Sequence, residues 1–216
     1  FPQLRLYSSV EEFLARNECD LVSLCAPDTL HESLLEQVMG SDRIRGVWCE
    51  KPLSFNTLPA KRLVQIADAR GLPVQVNYWR RFVPEIRQLQ QEIISGKWGL
   101  LHAVNGYYAE TIVHNGSHLA DLTSFLCGMP TLIAAHPAGK ANLRGDGPVT
   151  VMVELPDQEH IQKAYGVWHS IPRQQYNIFE LDLLFENGRV CIGKNGRQIE
   201  RYSYEKDQDF KSLNIL

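Results

Sequence analysis

The sequence predicts an α/β protein in two parts: a parallel sheet with helices over both faces, then an α+β unit with a mostly antiparallel sheet. Three observations carry this reading. The first third alternates short apolar runs with amphipathic stretches, the signature of strand–helix–strand crossovers and hence of a parallel sheet. Beyond residue 100 the chain is mostly short strand-like runs, two of them joined by Asn187-Gly188, the strongest short hairpin signal. Between these regions, near residue 80, the pattern changes without a flexible linker, which divides the chain into 1–80 and 81–216.

In chain order, Leu4-Arg5-Leu6-Tyr7 reads as the end of a short strand. Ser8 and Ser9 stand three residues before Glu11 and Glu12, two overlapping capping-box registers. With Val10, Phe13 and Leu14 on one stripe they predict a helix over 9–17. Asp20–Ala26 is strand-like, and Pro27-Asp28 ends it. Asp28 or Thr29 can cap a helix to about Met39, with Leu30, Leu34, Leu35 and Val38 on one face, closed by Gly40. A strand at 46–49, a helix over Thr57–Arg70 stopped by Gly71, and a strand over Val74–Tyr78 complete the first part.

In the second part, Pro84 sits where a helix can start, and Ile86, Leu89, Ile93 and Ile94 form its stripe up to Gly96. Leu100–Glu110 is strand-like and Asn115–Gly128 helical. Strands follow at Thr131–Ala138, Val149–Leu155, Ile161–His169, Tyr176–Glu186 and Arg189–Ile192, with a turn at Arg144–Pro148.

Composition narrows the partners. Hydrophobic content of 44%, charged content of 22% and a net charge of −3 are those of a globular protein without a basic footprint, so nucleic acid is not an expected partner. No apolar run approaches the length of a membrane span, and the start, Phe1-Pro2-Gln3-Leu4-Arg5, is no secretory signal. The five cysteines are scattered and odd in number, which fits reduced, mostly buried thiols in the cytoplasm rather than a disulfide framework or a zinc site.

Two stretches carry chemistry. In Trp48-Cys49-Glu50-Lys51-Pro52-Leu53 an apolar strand stops at an acid, a base and a proline. Ligands of parallel α/β sheets bind outside the carboxyl ends of the strands. Three turns leave such ends, which brings Asp28, His31, Lys51 and Tyr78 within reach of one ligand; the bland alternative is that Glu50 and Lys51 only solvate a strand end. The second stretch is Glu110-Thr-Ile-Val-His114-Asn115-Gly116-Ser117-His118, with Asp121 after it. Capped by Asn115 or Ser117, the helix would hold His118 in its first turn, where the dipole keeps an imidazole neutral and able to accept a proton. Alternatives are a hydrogen-bonded core or capping histidine, or a metal pair of His114 and His118 with Glu110; no second ligand cluster supports the latter, and no metal is expected.

These motifs resemble the glucose–fructose oxidoreductase / inositol dehydrogenase / MocA family of NAD(P)-dependent oxidoreductases over nearly the whole chain. Ser8-Ser9-x-Glu11-Glu12-Phe13-Leu14 with Asp20-Leu21-Val22 is similar to a family helix and strand. Ala26-Pro27-x-x-x-His31 resembles its nicotinamide-side turn, and Cys49-Glu50-Lys51-Pro52-Leu53 its Glu-Lys-Pro signature. Tyr78-x-x-Arg81-Phe82-x-Pro84 with Gly96-x-x-Gly99 matches the entry to its second domain, and Gly116-x-His118-x-x-Asp121-Leu122 the stretch with its catalytic histidine. The motifs are short, but their order is specific.

The resemblance implies a partial Rossmann-like parallel sheet lacking its first βαβ, then an α+β substrate and dimerisation domain with an open sheet. It implies NAD or NADP as cofactor, a carbohydrate-like substrate, and a homodimer or homotetramer formed through that sheet. Lys51 and His118 would be catalytic, with His114 beside them; Ala26, Pro27, Asp28, His31, Glu50, Lys51 and Arg81 would bind cofactor, and Tyr78 and Asn115 substrate. Two departures stand out. Many family members carry an aspartate where this chain has His114. The chain also holds no Gly-x-Gly-x-x-Gly, so the pyrophosphate would lack its backbone amides and helix dipole, and dinucleotide binding by these 216 residues should be weak or absent. The rival reading is a non-catalytic relative whose sheet, through strand faces such as Tyr176–Phe185, serves self-association or partner binding.

Overall fold

A computed structural model of the chain describes residues 3–16, 19–143, 145–157, 163–171, 176–206 and 214–215. The chain divides into two compact units, Phe1–Tyr78 and Trp79–Leu216.

The first unit begins with α1, Val10–Arg16. The Ser9 hydroxyl accepts the Glu12 N–H at 3.1 Å, while the Glu12 carboxylate accepts from the Ser8 N–H (3.0 Å) and hydroxyl (2.6 Å), so both serines share one capping exchange. The strand expected at Leu4–Tyr7 does not form, because no neighbouring strand pairs with it. Strands β1 (Leu21–Leu24), β2 (Gly46–Cys49) and β3 (Val74–Val76) make a parallel sheet in the order β1-β2-β3. A 3-10 turn at Asp28–Leu30 and α2 (His31–Met39) connect the first pair; α3 (Thr57–Arg70) connects the second and ends at Gly71, whose φ of 58° suits a left-handed helix stop. Asp28 thus lies inside the 3-10 turn rather than at a helix cap.

Helices over both faces were expected; the structure places them over one. Right-handed crossovers change face only where the strand order reverses, and β1-β2-β3 never reverses. Leu35, Val38 and Met39 from α2 and Leu63 and Ala67 from α3 therefore share one core with Leu24, Val47 and Cys49. On the other face Leu21 is 74% and Trp48 42% exposed.

In the second unit α4 (Pro84–Ile94) starts on its proline, and Gly96 and Gly99 turn the chain through left-handed φ values of 72° and 69° into β4, Leu101–Ala109. A π-helical turn over Ile112–Gly116 runs into α5, Ser117–Cys127. Then come β5 (Thr131–Pro137), β6 (Val149–Glu154), β7 (Tyr165–Ile171), β8 (Phe179–Phe185), β9 (Gly188–Gly193) and β10 (Gln198–Ser203). These form one seven-stranded sheet, β10-β9-β8-β4-β7-β6-β5, antiparallel except for the pair β4–β7. A small separate pair joins β11 (Glu205–Lys206) to β12 (Asn214–Ile215). The expected strand residues 161–162 and the turn residue Arg144 lie outside the described residues.

One sheet face packs on α4 and α5: Ile86, Leu89, Leu119 and Leu122 meet Val104, Trp168, Leu181 and Leu183. Strand β8 begins at Phe179 rather than Tyr176, and its apolar residues Phe179, Leu181, Leu183 and Phe185 all point into this core. The opposite face of β8 carries Glu180, Asp182 and Leu184, a mixed surface where an apolar one was expected. On it Asp182 accepts two hydrogen bonds from Arg189, at 2.8 and 2.9 Å.

Candidate functional site

In a parallel sheet all strands end on the same edge, so the turns after β1, β2 and β3 lie side by side in the first unit. Hydrogen bonds stitch them together. The Glu50 N–H donates to the Leu24 carbonyl (2.9 Å) and the Asn77 N–H to that of Cys49 (2.7 Å). The Asn77 side-chain amide donates to the Glu50 carboxylate at 2.6 Å. His31 is 1% exposed, with Nδ1 2.7 Å from the Pro52 carbonyl oxygen and Nε2 2.9 Å from that of Ala26. Its ring thus ties the Ala26-Pro27 turn to the Glu50-Lys51-Pro52 turn from behind instead of facing outward. The Lys51–Pro52 peptide is cis. Lys51, Glu50, Ala26, Asp28 and Tyr78 are half-buried and Pro27 is exposed along this edge.

Behind the edge, burial and then the neighbouring Glu50 and Cys25 push the Cys49 thiol up to about 12. All five cysteines are free, but only Cys49 and Cys127 are buried and Cys25 is exposed, fewer buried thiols than expected. Asn77 is the edge residue the sequence reading missed; its place directly before Tyr78, at the end of an apolar strand, was the available signal.

In the second unit the candidate residues gather around the π-turn before α5. The helical run begins at Ile112, not at Asn115 or Ser117, and Thr111 precedes it with extended backbone. Its leading amides are already taken: the Ile112 N–H donates to the Gly147 carbonyl (3.0 Å) and the Val113 N–H to the buried Asp146 carboxylate (3.0 Å). Ser117 does not cap; its hydroxyl donates to the His114 carbonyl at 3.4 Å. His118 therefore sits a full turn inside a continuous run, and the first-turn dipole argument for its neutrality no longer applies. Gly116 packs closely: a Cβ there would lie 2.6 Å from Ile112 Cδ1, which would have to shift, and 3.2 Å from the Tyr108 ring.

His118 and Asn115 are half-buried, and the His118 ring meets Phe179 edge-on at 6.1 Å between centroids. The Arg80 guanidinium stacks over the same Phe179 ring at 3.7 Å, and burial lowers it to about 10. The Asn115 amide donates to the Ala109 carbonyl (2.8 Å) and to the Glu110 carboxylate (3.4 Å). Arg81, expected at the cofactor, is held by Asp121 on α5: Nε and a terminal nitrogen approach the same carboxylate oxygen at 2.7 and 2.6 Å. Burial raises the Asp121 carboxyl, and Arg81 opposes that rise. Among the described residues no three His, Cys, Asp or Glu side chains stand together as a metal site would require.

The arrangement offers a turn-lined sheet edge with a lysine in one unit and a helix-borne histidine with amide and carboxylate neighbours in the other. Residues 2–78 match the sequence model of an oxidoreductase family with an NAD-binding Rossmann fold. The chain is 32% identical to the myo-inositol dehydrogenase Hyg17 of Streptomyces leeuwenhoekii, over 88% of its own length and 62% of that protein's. It is 28% identical to the rhizopine catabolism protein MocA of Rhizobium meliloti over 47% of its length and 32% of that protein's. The chain thus spans less than two thirds of these curated relatives. Among solved structures, the WlbA dehydrogenase of Bordetella pertussis, in complex with NADH and UDP-GlcNAcA, superposes with a TM-score of 0.77 at 22% identity, covering 95% of this chain and 68% of that one. At that identity the likeness establishes the fold. No helix among the described residues is long and apolar enough to cross a membrane.

Proposed function

Because this chain belongs to the glucose–fructose oxidoreductase / inositol dehydrogenase / MocA family, we propose that it forms part of an NAD- or NADP-dependent oxidoreductase. Its substrate is a secondary alcohol on a sugar, cyclitol or sugar nucleotide. The observation that carries this reading is the stitched edge of the parallel sheet, where Asn77, Glu50 and His31 hold Lys51 and the Pro27 turn in fixed register.

The residues of that edge suit the nicotinamide–ribose end of a dinucleotide: Ala26, Pro27, Asp28 and Tyr78 line it, with Glu50 and His31 supporting the turns. The 216 residues hold no Gly-x-Gly-x-x-Gly to cradle the pyrophosphate. When bound, the nicotinamide supplies the hydride chemistry. The chain's own contribution is proton handling and orientation: His118 accepts the hydroxyl proton, Lys51 donates a hydrogen bond that favours alkoxide character on the alcohol oxygen, and His114 and Asn115 orient the base or substrate. Arg81, spent on Asp121, positions α5 rather than a ligand.

The test is NAD(P)-dependent oxidation of a panel of cyclitols, aldoses and sugar nucleotides by a full-length version of the protein, with Lys51→Ala and His118→Ala beside wild type. Each substitution should lower turnover at least about a hundredfold with little change in melting temperature; wild-type turnover in either would defeat the assignment. A second reading, a non-catalytic relative that self-associates, draws on the face of the seven-stranded sheet turned away from α4 and α5. A homodimer or homotetramer through that face is compatible with either reading, and turnover separates them.

A further inference from the structure

We infer that Glu110 is a positioning residue: its carboxylate takes over the role of the aspartate absent at position 114, acting through Asn115 on the turn that carries His114 and His118. This rests on the reading of His118 as proton acceptor. Glu110 follows the last residue of β4 and adopts φ 66°, a left-handed conformation that non-glycine residues rarely take. Residues persist there only where their surroundings over-determine them, and they concentrate at functional sites. Here three contacts do so. The Glu110 N–H donates to the Ile171 carbonyl (3.0 Å), its own carbonyl accepts the hydroxyl of buried Ser170 (2.5 Å), and its carboxylate accepts from Asn115 Nδ2 (3.4 Å). A glycine would hold this backbone without strain, so the strained conformation is matched to a side chain the site needs.

The direction of that side chain supplies the reason. The turn Ile112–Gly116 is anchored on its other side by Asp146 and Gly147, and Asn115 is clamped between the Ala109 carbonyl and Glu110. When His118 accepts a proton, positive charge grows three residues beyond Asn115 on the same helical run, and a carboxylate held by Asn115 offsets it without reorganising. His114, an imidazole, brings no negative charge to its position. Glu110, four residues upstream, brings one to the same turn.

Glu110→Gly and Glu110→Gln separate this role from a merely structural one. Glu110→Gly relieves the backbone, so its melting temperature should equal or exceed that of wild type, while kcat falls at least tenfold with KM little changed. Glu110→Gln keeps the conformation and a hydrogen-bonding oxygen but removes the charge; kcat should fall to a similar degree, and Glu110→Asp should recover part of it. A lower melting temperature in Glu110→Gly, or wild-type kcat in Glu110→Gln, overturns the proposal. His118→Ala, measured alongside, identifies the layer that failed: if it too keeps full turnover, the reading of His118 is wrong, and if it alone loses turnover, Glu110 is excluded. Should wild type show no turnover, the Asn115 side-chain amide resonances decide on the 216-residue chain. They should move in Glu110→Gln, and unchanged resonances overturn the proposal.

Discussion

Replacing Arg81 with alanine distinguishes a brace from a ligand contact. Arg81 approaches one Asp121 oxygen with two nitrogens, at 2.7 and 2.6 Å, and the Asp121 side chain is only 9% exposed. Charged hydrogen bonds contribute about 1.5–3 kcal/mol, and a carboxylate left buried without its partner costs more than the bond itself. Against this, the Arg81 head is 37% exposed and screened by water, which removes much of the upper range. The net loss for Arg81→Ala at neutral pH is then about 2–3 kcal/mol, or about 5–10 °C in melting temperature for a chain of this size. The pH dependence has a definite sign. Asp121 in the folded protein already lies above its ordinary value through burial, with Arg81 pulling it down. Removing Arg81 raises it further, so the folded variant holds that proton more tightly than the unfolded chain does. Its stability should therefore be highest in acid, below the ordinary carboxylate range, and fall as pH rises through the raised folded value. Melting followed by circular dichroism from acid to neutral pH measures this, with Arg81→Met/Asp121→Asn recovering most of the loss at neutral pH. A melting temperature within about 2 °C of wild type for Arg81→Ala would refute the brace and return Arg81 to the cofactor.

Three further outcomes are expected. The 216-residue chain, having no glycine-rich phosphate turn, should show no saturable NADH or NADPH binding in the micromolar range by calorimetry or fluorescence; a clear isotherm there refutes this. Gly116→Ala should lower stability by about 1–3 kcal/mol, read as a shift in urea midpoint, because its Cβ would press into Ile112 and the Tyr108 ring. A thiol reagent at mildly alkaline pH should modify exposed Cys25 first and leave Cys49 and Cys127 unmodified until the chain unfolds, since burial pushes both up to about 12; rapid labelling of either by mass spectrometry contradicts the packing described.

What the sequence displayed and what it hid follow from range. Local signals survived folding well: the Ser8-Ser9 cap, Pro84 at a helix start, Gly71 at a helix stop and the hairpin at Asn187-Gly188, whose turn falls one residue earlier on Glu186-Asn187, each depend on a few adjacent residues. Strand β10 escaped notice because Gln198-Ile199-Glu200-Arg201-Tyr202-Ser203 carries too little apolar surface, and it is held by pairing with β9. The covering of only one sheet face depends on strand order, which periodicity does not encode. At the site, residue types were legible but their partners were not. His31, read as facing a cofactor, turns both ring nitrogens toward backbone carbonyls, and Arg81 spends its charge on a carboxylate forty positions away. Asn77, Asp146 and Ser170 matter through contacts that only the folded chain creates.

The place of β4 at the centre of its sheet has a consequence for how the protein is made. Leu101–Ala109 is flanked by Tyr165–Ile171 and Phe179–Phe185, both synthesised well after it. At about 5–20 residues per second, a ribosome leaves the buried side of β4 without either neighbour for several seconds. During that interval Val104 and Tyr108 have only α4 and then α5 to shelter them. Native packing therefore predicts that the two-helix layer orders first and the sheet closes on it from its middle outward. Slowing translation within α5 should favour correct closure, whereas weakening α5 should send newly made chains into aggregates before the last strands emerge.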